Sequence, residues 1–413
     1  MSIPHAVSMG PGALCGGGAN PPSGRKDRRG LSLCRVDWSG GRRMRTLDTD
    51  SLERILVGAA LLGTGGGGSL EKGLENVTRE RKAGRPIRLA DPDEVSPDTW
   101  AATPYYCGSL APTGKTPFRS KVAPHEDREC LLAVQTLEQY LGAKMGVTVA
   151  TELGGGNTAA ALAVAAQLGL PALDADGAGR SVPDLQHSTY FVAGIPIAPM
   201  GIANKYGDTA IIREVADDFH AEALVRAMAV ASGGHVGVAD HPGKVGEIRK
   251  GLVERSLTFS ERVGGAIRDK GRDVTDAVLE ATEGYSLFEG IAAANCKYED
   301  RDGFTFGEMH LRGTGPDRGA RYRVWFKNEN IMAWRNGKVD VTAPDLVCLL
   351  DVDTRKPVLN PWLKKGQHIA VIGLPAAAIW RTSRGVEAFG PRYFGFKVNF
   401  VPIEKRHKRP QKR

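Results

Sequence analysis

Residues 146–176 read GVTVATELGGGNTAAALAVAAQLGLPALDAD, and this stretch decides the fold class. Its apolar start at 146–150 is typical of a buried strand, whereas the alanine-rich run at 158–168 has the length and composition of a buried helix. A second short apolar strand follows at 172–174. A strand, a helix and another strand in this order predict a βαβ unit whose two strands are parallel.

The same alternation extends upstream of this unit. Cap-type residues precede an apolar helical pattern that ends near Leu62, a glycine loop follows at Gly63–Gly68, and a second helix starts at Ser69. A strand is predicted at 107–111 and a helix at 128–141. We therefore expect an α/β N-terminal domain that has a mostly parallel sheet with glycine-rich loops at the strand ends.

Downstream of this domain the pattern changes to helix and then to strand. Residues 215–281 are mainly helical in pattern, and short apolar strands follow up to 401, with an Asn-Gly hairpin signal at 336–337. These changes predict a helix-and-β-rich C-terminal domain. The expected boundaries are a disordered basic extension over 1–43, the α/β domain over 44–217, the C-terminal domain over 218–403 and a basic tail over 404–413.

The net charge of +8 belongs to the two ends of the chain. Residues 1–43 and 404–413 each carry a net charge of +5, which leaves −2 for the body between them. Because a nucleic-acid-binding face needs basic residues on the fold itself, we expect no nucleic-acid function. No apolar run approaches the roughly 20 residues that span a bilayer, and no secretory signal is recognisable, so we expect a cytoplasmic protein without membrane attachment.

The six cysteines show no CxxC spacing, which predicts reduced thiols. Cys107 lies just beyond an apolar strand and is predicted to be a nucleophile, a soft metal ligand or a buried inert thiol. Among the nine histidines, His187 is the best placed for zinc because it follows a pair of aspartates. His125, His235 and His241 lie in loop-like surroundings and are predicted at the surface.

Polar clusters follow both strands of the central unit, at the sheet edge where ligands bind in α/β proteins. Glu152, directly after the first strand, is predicted to be a general base or a metal ligand. Asn157 is either a helix cap or a substrate contact. Asp174 and Asp176 share one face of the second strand, which suits a metal or an acid/base pair, with an Asp-rich turn as the alternative.

The glycine loop Gly63–Gly68 leaves backbone N–H groups uncovered directly before a helix, an arrangement that favours anions. Close packing of the backbone is the alternative interpretation. A Walker loop is excluded because no Gly-Lys-Ser/Thr sequence closes the loop and a helix leads into it. We expect the loop to hold an anion or to make a close backbone contact.

The order of these clusters resembles a known family. The motifs that carry the resemblance lie at 62–68, 110–113, 152–157, 174–186, 328–330, 344–345 and 390–392. They resemble the S-methyl-thiohydantoin desulfurase-like family, over about residues 44–402. His187 and Cys107 depart from the family pattern, which has an apolar residue and a small or apolar residue at these places; the departures mark either a metal-using subgroup or drift.

The resemblance implies a hydrolase that removes sulfur, as hydrogen sulfide or methanethiol, from a 2-thiohydantoin ring with a propionate arm, in ergothioneine breakdown. It also implies one zinc ion per chain that activates water. Clustering at strand ends suggests these roles: Glu152, Asp176 and Cys107 as catalytic residues, Asp174 and His187 as metal ligands, and Gly65, Gly66, Gly67, Asn157 and Arg180 as substrate contacts.

Two other functions stay open at this point. One is a non-catalytic subunit of a hydantoinase or oxoprolinase-type system, which would bind a cyclic amide or thioamide ring without turning it over. The other is a metal-independent hydrolase that uses Cys107 as its nucleophile. The expected partner is a small cyclic amide or thioamide in each case, and a homo-oligomer is compatible with the sequence.

Overall fold

Two β-sheets form the framework of the computed structural model, which describes residues 44–108, 122–125 and 127–408. The first sheet contains β1 (Arg45–Thr46), β2 (Arg88–Ala90), β3 (Trp100–Gly108), β4 (Val147–Ala150), β5 (Pro171–Asp176), β6 (Met200–Ala203), β7 (Thr209–Ile212), β8 (His235–Lys244) and β9 (Val253–Glu254). The second contains β10 (Tyr285–Ala292), β11 (Lys297–Arg301), β12 (Phe304–Gly313), β13 (Arg321–Lys327), β14 (Glu329–Arg335), β15 (Lys338–Thr342), β16 (Leu346–Asp351), β17 (Lys356–Pro357) and β18 (His368–Leu374). The predicted extension over 1–43, the motif at 110–113 and residues 409–413 of the predicted tail lie outside the described residues.

The first two helices confirm the starts that their cap residues predict. The α-helices of the described residues are α1 (Thr49–Leu62), α2 (Leu70–Lys82), α3 (Glu129–Leu141), α4 (Asn157–Leu168), α5 (Thr189–Ala193), α6 (Asp218–Ala231), α7 (Val245–Ile248), α8 (Ser256–Arg268), α9 (Val274–Thr282) and α10 (Ser383–Phe389). The Asp48 carboxylate accepts a hydrogen bond from the Ser51 N–H at 2.7 Å at the start of α1. Ser69 caps α2 in the same way. Across the described ranges, no helix is long and apolar enough to cross a bilayer.

The predicted βαβ unit lies at the centre of the first sheet, where β4 and β5 are parallel neighbours connected by α4. The strand order is β1-β2-β5-β4-β3-β8-β6-β7, and β9 pairs with β5. The expectation of a mostly parallel sheet is wrong, because the pairings of β1, β6, β7, β8 and β9 are antiparallel. After β5 the chain returns through the β6–β7 hairpin and α6, so β8 runs alongside β3 in the opposite direction.

The second sheet confirms a β-rich C-terminal part. Its order is β15-β14-β13-β12-β10-β18-β16-β17, with β11 on β12, and its pairings among the described residues are antiparallel. The predicted hairpin turn joins β14 to β15 at Asn336 and Gly337, whose φ angles are 50° and 78°. Positive φ at both central residues is what a tight two-residue hairpin requires.

One hydrophobic core joins helices of the first part of the chain to strands of the second. Leu56 of α1 and Leu257 of α8 belong to the same buried cluster as Ile331 of β14. The two helices touch through their backbones, since a Cβ on Gly58 would lie 1.8 Å from the carbonyl oxygen of Ser260. This packing fixes the start of β14 against the carboxyl ends of the first sheet's central strands.

Candidate active site

A cavity of about 460 Å³ lies where the start of β14 meets the first sheet. Its wall takes residues from the glycine loop, from the ends of β3, β4 and β8, from the segment that follows β5, and from β14 itself. The acid-base side chains in the wall include five that come from the strands or lie directly at their ends: Cys107, Glu152, Asp240, His241 and Glu329. Three of them were predicted neither as catalytic nor as ligand residues from the sequence.

The two glycine loops pack directly on each other at the edge of this cavity. The carbonyl oxygen of Gly67 accepts hydrogen bonds from the N–H groups of Gly156 at 2.9 Å and Asn157 at 3.0 Å. A Cβ on Gly67 would lie 2.5 Å from the Cα of Gly154, so a side chain there is sterically excluded. Close backbone contact, the second of the two interpretations, therefore explains why glycine is required in this loop. Gly67 reaches the cavity wall, whereas Gly65 and Gly66 do not.

Glu152 is held rigidly in the wall of the cavity. Its Oε1 accepts a hydrogen bond from Asn157 Nδ2 at 2.7 Å, and its Oε2 accepts one from the Val182 N–H at 2.8 Å. Asn157 in turn accepts from the Tyr106 N–H at 3.0 Å, so its side chain orients Glu152 and does not cap α4. Burial raises the pKa of Glu152, but these donors favour its ionised form.

Glu329, the first residue of β14, faces Glu152 from the other half of the chain. Its Oε1 accepts a hydrogen bond from the Ser181 hydroxyl at 3.1 Å. Its buried Oε2 has no hydrogen-bond partner among the described residues. Burial, followed by the charge of Glu152, raises the pKa of Glu329 well above its usual range. Glu329 is therefore the protonated member of the pair, with an O–H available to a ligand.

The sequence signal for Glu329 was weak. It stands in the Asn-Glu-Asn motif at 328–330 that supports the family resemblance, yet no spacing connects that motif to the clusters at 152–157. Only the tertiary fold brings the two together. Gly66 leaves the space that the Glu329 carboxyl group occupies, because a Cβ on residue 66 would lie 1.7 Å from Glu329 Oε1.

His241 is the candidate base of the site, and the prediction that it lies at the surface is wrong. Its side chain is 3% exposed and stacks on the Tyr190 ring at 4.3 Å. Its Nδ1 lies 2.9 Å from Asp240 Oδ1, and Asp240 Oδ2 accepts a hydrogen bond from the Tyr105 hydroxyl at 2.7 Å. With Nδ1–H donated to Asp240, Nε2 carries the lone pair; it has no partner among the described residues.

The loop-like sequence around His241 misled the prediction because the strand continues through it. β8 runs over His235–Lys244, and its pairing with β3 shifts register between Ala101 and Thr103. His241 itself has a φ angle of 44°, a left-handed conformation that costs free energy in a non-glycine residue. The irregular strand turns the imidazole inward.

Cys107 lies within β3 and in the cavity wall, rather than beyond the strand. Burial raises the pKa of its thiol to about 12, although the nearby guanidinium of Arg226 acts in the opposite direction. The thiolate is the nucleophilic form of cysteine, so a neutral thiol is a poor nucleophile at physiological pH. Of the three roles predicted for Cys107, the arrangement favours the buried inert thiol.

Arg180 is placed differently from the substrate contact that the sequence predicts. It is fully buried, and it donates hydrogen bonds to the backbone oxygens of residues 181, 330, 344 and 345 and to the Thr64 hydroxyl, at 2.9 to 3.2 Å. Its guanidinium has no donor to spare for a carboxylate of a substrate. Arg180 therefore connects the glycine loop to β14 and stabilises the fold.

The predicted aspartate pair does not reach the cavity wall. Asp174 accepts hydrogen bonds from the Leu257 and Thr258 N–H groups at 3.0 Å, and so anchors the start of α8. Asp176 Oδ2 accepts from the N–H groups of Ala178 at 3.0 Å and Gly179 at 2.6 Å. Asp176 therefore stabilises a turn, which is the second interpretation of the aspartate pair. Its position does not support the predicted catalytic role.

The predicted metal pair does not form one site. His187 lines the cavity, whereas Asp174 is engaged at α8. The His187 ring lies in an aromatic cluster with Phe389, Tyr393 and Phe394, with Nδ1 3.1 Å from an oxygen of Asp184. Within the described ranges, no group of three His, Cys, Asp or Glu residues is arranged to hold a metal ion. These donors do not fit a zinc site, and we assign no chemical step to a metal.

We expect Asp176 to make stability depend on pH. Burial raises the pKa of Asp176 to about 7, above its unfolded value of about 3.8, so between these pH values the native state binds more protons than the unfolded state. This contribution lowers the free energy of unfolding as pH rises from about 4 to 7, by up to about 1.4 kcal/mol per pH unit. Asp176→Asn should remove it.

Denaturant titrations at pH 4.5, 5.5 and 7 would measure the effect. The matched control is Asp48→Asn at the exposed start of α1, since the backbone N–H of Ser51 lowers the pKa of Asp48 and its contribution changes only at lower pH. The stability of Asp176→Asn relative to the wild type should increase with pH, and that of Asp48→Asn should stay constant. Parallel curves for Asp176→Asn and the wild type would contradict this account.

Fold and site together define a two-sheet α/β protein with an acid-base cavity between the halves of its chain. The sequence patterns of the S-Me-THD-like N-terminal domain and C-terminal domain match residues 50–214 and 216–403. The chain belongs to the S-methyl-thiohydantoin desulfurase-like family, whose name suggests a desulfurase-like enzyme.

A crystal structure of a protein from Chromobacterium violaceum, solved by a structural genomics consortium, has a similar fold. It is 23% identical in sequence, with a TM-score of 0.69 over 88% of this chain and 100% of that chain. At this identity the likeness shows the fold alone. No curated protein matches the sequence.

Proposed function

We propose that this protein is a hydrolase that removes the sulfur substituent from C2 of a 2-thiohydantoin-type ring and leaves C=O there, with release of hydrogen sulfide or methanethiol. One observation carries the proposal: His241 and Glu329 line the same cavity, and each keeps a buried atom, Nε2 and Oε2 respectively, without a protein partner among the described residues. One is a base and the other an acid. Family membership supplies the type of ring, and the propionate-bearing thiohydantoin of ergothioneine breakdown is the substrate that the resemblance suggests.

His241 accounts for the first half of the reaction. Nε2 of His241 takes a proton from water as the oxygen attacks C2 of the ring. The electron pair of the attacked double bond moves to the ring nitrogen of an S-methyl substrate, or to the sulfur of a thione. The imidazolium of His241 then delivers the proton to that atom, which gives a neutral intermediate with OH and sulfur both on C2.

Glu329 accounts for the second half. The C2–S bond breaks, and the Glu329 O–H protonates the departing sulfur, which leaves as a thiol or as hydrogen sulfide. The hydroxyl on C2 loses its proton to Glu329 as C=O forms, so the carboxyl group is restored. Water is consumed, and both residues return to their initial protonation states. Glu152, kept charged by Asn157 and the Val182 N–H, helps to hold the proton on Glu329.

Glu329→Gln should lower kcat by about 10²-fold, the low end of the range for general acid catalysis. The effect is modest because a thiolate leaves more readily than an alkoxide or amine, so proton donation matters less. The amide keeps the size of the protonated carboxyl group and an acceptor for Ser181. Stopped assays of released thiol or sulfide would measure kcat.

A matched control is Glu289→Gln, since Glu289 is a partly buried carboxylate of the second sheet that pairs with His368 and does not line the cavity. Unchanged kcat in Glu329→Gln, with thermal stability like that of the control, would remove Glu329 from the mechanism.

The decisive test of the function is release of sulfur by the purified chain alone, from 2-thiohydantoin-5-propionate and from its S-methyl derivative. Sulfide or methanethiol should appear together with the corresponding hydantoin. Activity that arises only after a hydantoinase-type partner is added would support an accessory subunit instead. Elemental analysis of the same preparation tests the zinc that the resemblance implies, and the mass of the particle in solution tests the homo-oligomer.

A further inference from the structure

Trp362 is an exposed aromatic residue at the edge of the active-site cavity. It lines the cavity, yet 52% of its surface is open to solvent. Tyr298 of β11 approaches its ring edge-to-face, with centroids 6.3 Å apart and planes at 65°. The indole therefore contributes little to the core and presents an aromatic face at the edge of the cavity.

The loop that carries Trp362 is firmly attached to the catalytic region. Asn360 is fully buried, and its side chain donates hydrogen bonds to the Asn328 carbonyl oxygen at 2.8 Å and to Asn330 Oδ1 at 3.0 Å. Its N–H donates to the Gly65 carbonyl oxygen at 2.8 Å. Asn328 and Asn330 flank Glu329 in sequence, so the loop that carries the indole is attached directly to the segment of the proposed acid.

We propose that Trp362 is a stacking platform for the planar, conjugated ring of the substrate. This inference rests on the proposed function for the type of ring. A 2-thiohydantoin ring is flat, with π electrons delocalised over its nitrogens, the thiocarbonyl and the carbonyl group, and such a ring stacks on indole through dispersion and quadrupole interactions. The Asn360 attachment pre-orders the platform, which reduces the entropy lost on binding. Trp362 thus determines specificity for flat rings, while Glu329 acts on the ring substituent.

Binding of hydantoin, the flat ring of the reaction product, tests the platform without turnover. Trp362→Leu keeps an apolar side chain but removes the π system, and it should raise the Kd for hydantoin about three- to tenfold in calorimetry. Trp362→Phe retains an aromatic face and should stay within about twofold of the wild type. Tyr140→Leu is the matched control, because Tyr140 is an exposed aromatic residue of α3 that does not line the cavity.

The outcomes separate the platform from the chemistry. Equal Kd values for Trp362→Leu and the wild type would overturn the inference, and so would equal losses in Trp362→Leu and Trp362→Phe, or failure of the wild type to bind hydantoin. Hydantoin binding that depends on Trp362, in a chain that releases no sulfur, would instead overturn the proposed function and keep the platform. With turnover, KM should rise in Trp362→Leu while kcat stays close to the wild-type value.

Discussion

His241→Gln should lower kcat for sulfur release by about 10²- to 10⁴-fold, the range attributed to a positioned general base. Glutamine can still donate a hydrogen bond to Asp240, but its amide is not basic and cannot take a proton from water. The Kd for hydantoin should change little, because the proposed platform lies elsewhere. Steady-state kinetics and calorimetry on the same preparations measure both quantities.

His235→Gln is the matched control for this experiment. His235 begins β8, lines the same cavity, and has a half-exposed ring with Nε2 3.4 Å from Glu129. Its loss should leave kcat within about threefold of the wild type, since an exposed imidazole without a fixed orientation contributes little to proton transfer. Equal losses in the two variants would mean that His241 is not the base.

Tyr105→Phe extends the test to the orientation of the base. Removal of its hydroxyl takes one hydrogen bond from Asp240 without opening the imidazole to solvent. The hydroxyl and Asp240 act only through His241, so Tyr105 is a positioning residue. We expect a smaller loss of kcat than in His241→Gln, with KM and the Kd for hydantoin close to the wild-type values. An unchanged kcat would show that Tyr105 does not position His241.

Arg180→Met should lower the free energy of unfolding by about 3–5 kcal/mol, because each of several buried acceptors left without a donor costs about 1 kcal/mol or more. Methionine replaces much of the volume but none of the hydrogen bonds. The Thr64 hydroxyl and the carbonyl oxygens of residues 330, 344 and 345 would lose buried donors. Chemical denaturation followed by far-UV circular dichroism measures the loss. If the variant yields no folded protein, the loss in free energy of unfolding is larger than this range.

The corresponding control is Arg213→Met. The Arg213 side chain is 68% exposed and pairs only with its exposed neighbour Glu214 in the described structure, so the change should cost less than about 1 kcal/mol. A cost for Arg180→Met no larger than that for Arg213→Met would show that the buried guanidinium does not hold the two halves of the chain together.

Local features of the fold could be predicted from the sequence because they depend on neighbouring residues. Asp48 and Ser69 are helix caps whose partners lie three residues away, and the Asn336–Gly337 turn needs only its own backbone angles. The βαβ unit likewise follows from one continuous stretch. The antiparallel course of β8 could not be predicted in this way, since it depends on which strand edge remains open after the earlier strands have paired.

Only the part of the site that depends on neighbouring residues could be predicted from the sequence. Glu152 and Asn157 lie at a strand end, where the pattern of the βαβ unit places ligands, and both line the cavity. Arg180 lies near them in sequence but points into the protein, because three of its five acceptors are backbone oxygens more than 140 residues downstream. His241 was not predicted because the sequence of the bulged strand β8 resembles that of a loop.

The contact between Gly66 and Glu329 constrains how this family can evolve. Any side chain at residue 66 would occupy the space of the Glu329 carboxyl group, so a larger residue there requires a smaller or displaced one at 329. The two positions should therefore vary together among relatives, although 263 residues separate them in the sequence. A homologue with alanine at the first position and no acid at the second would have kept the scaffold and given up the proton donor.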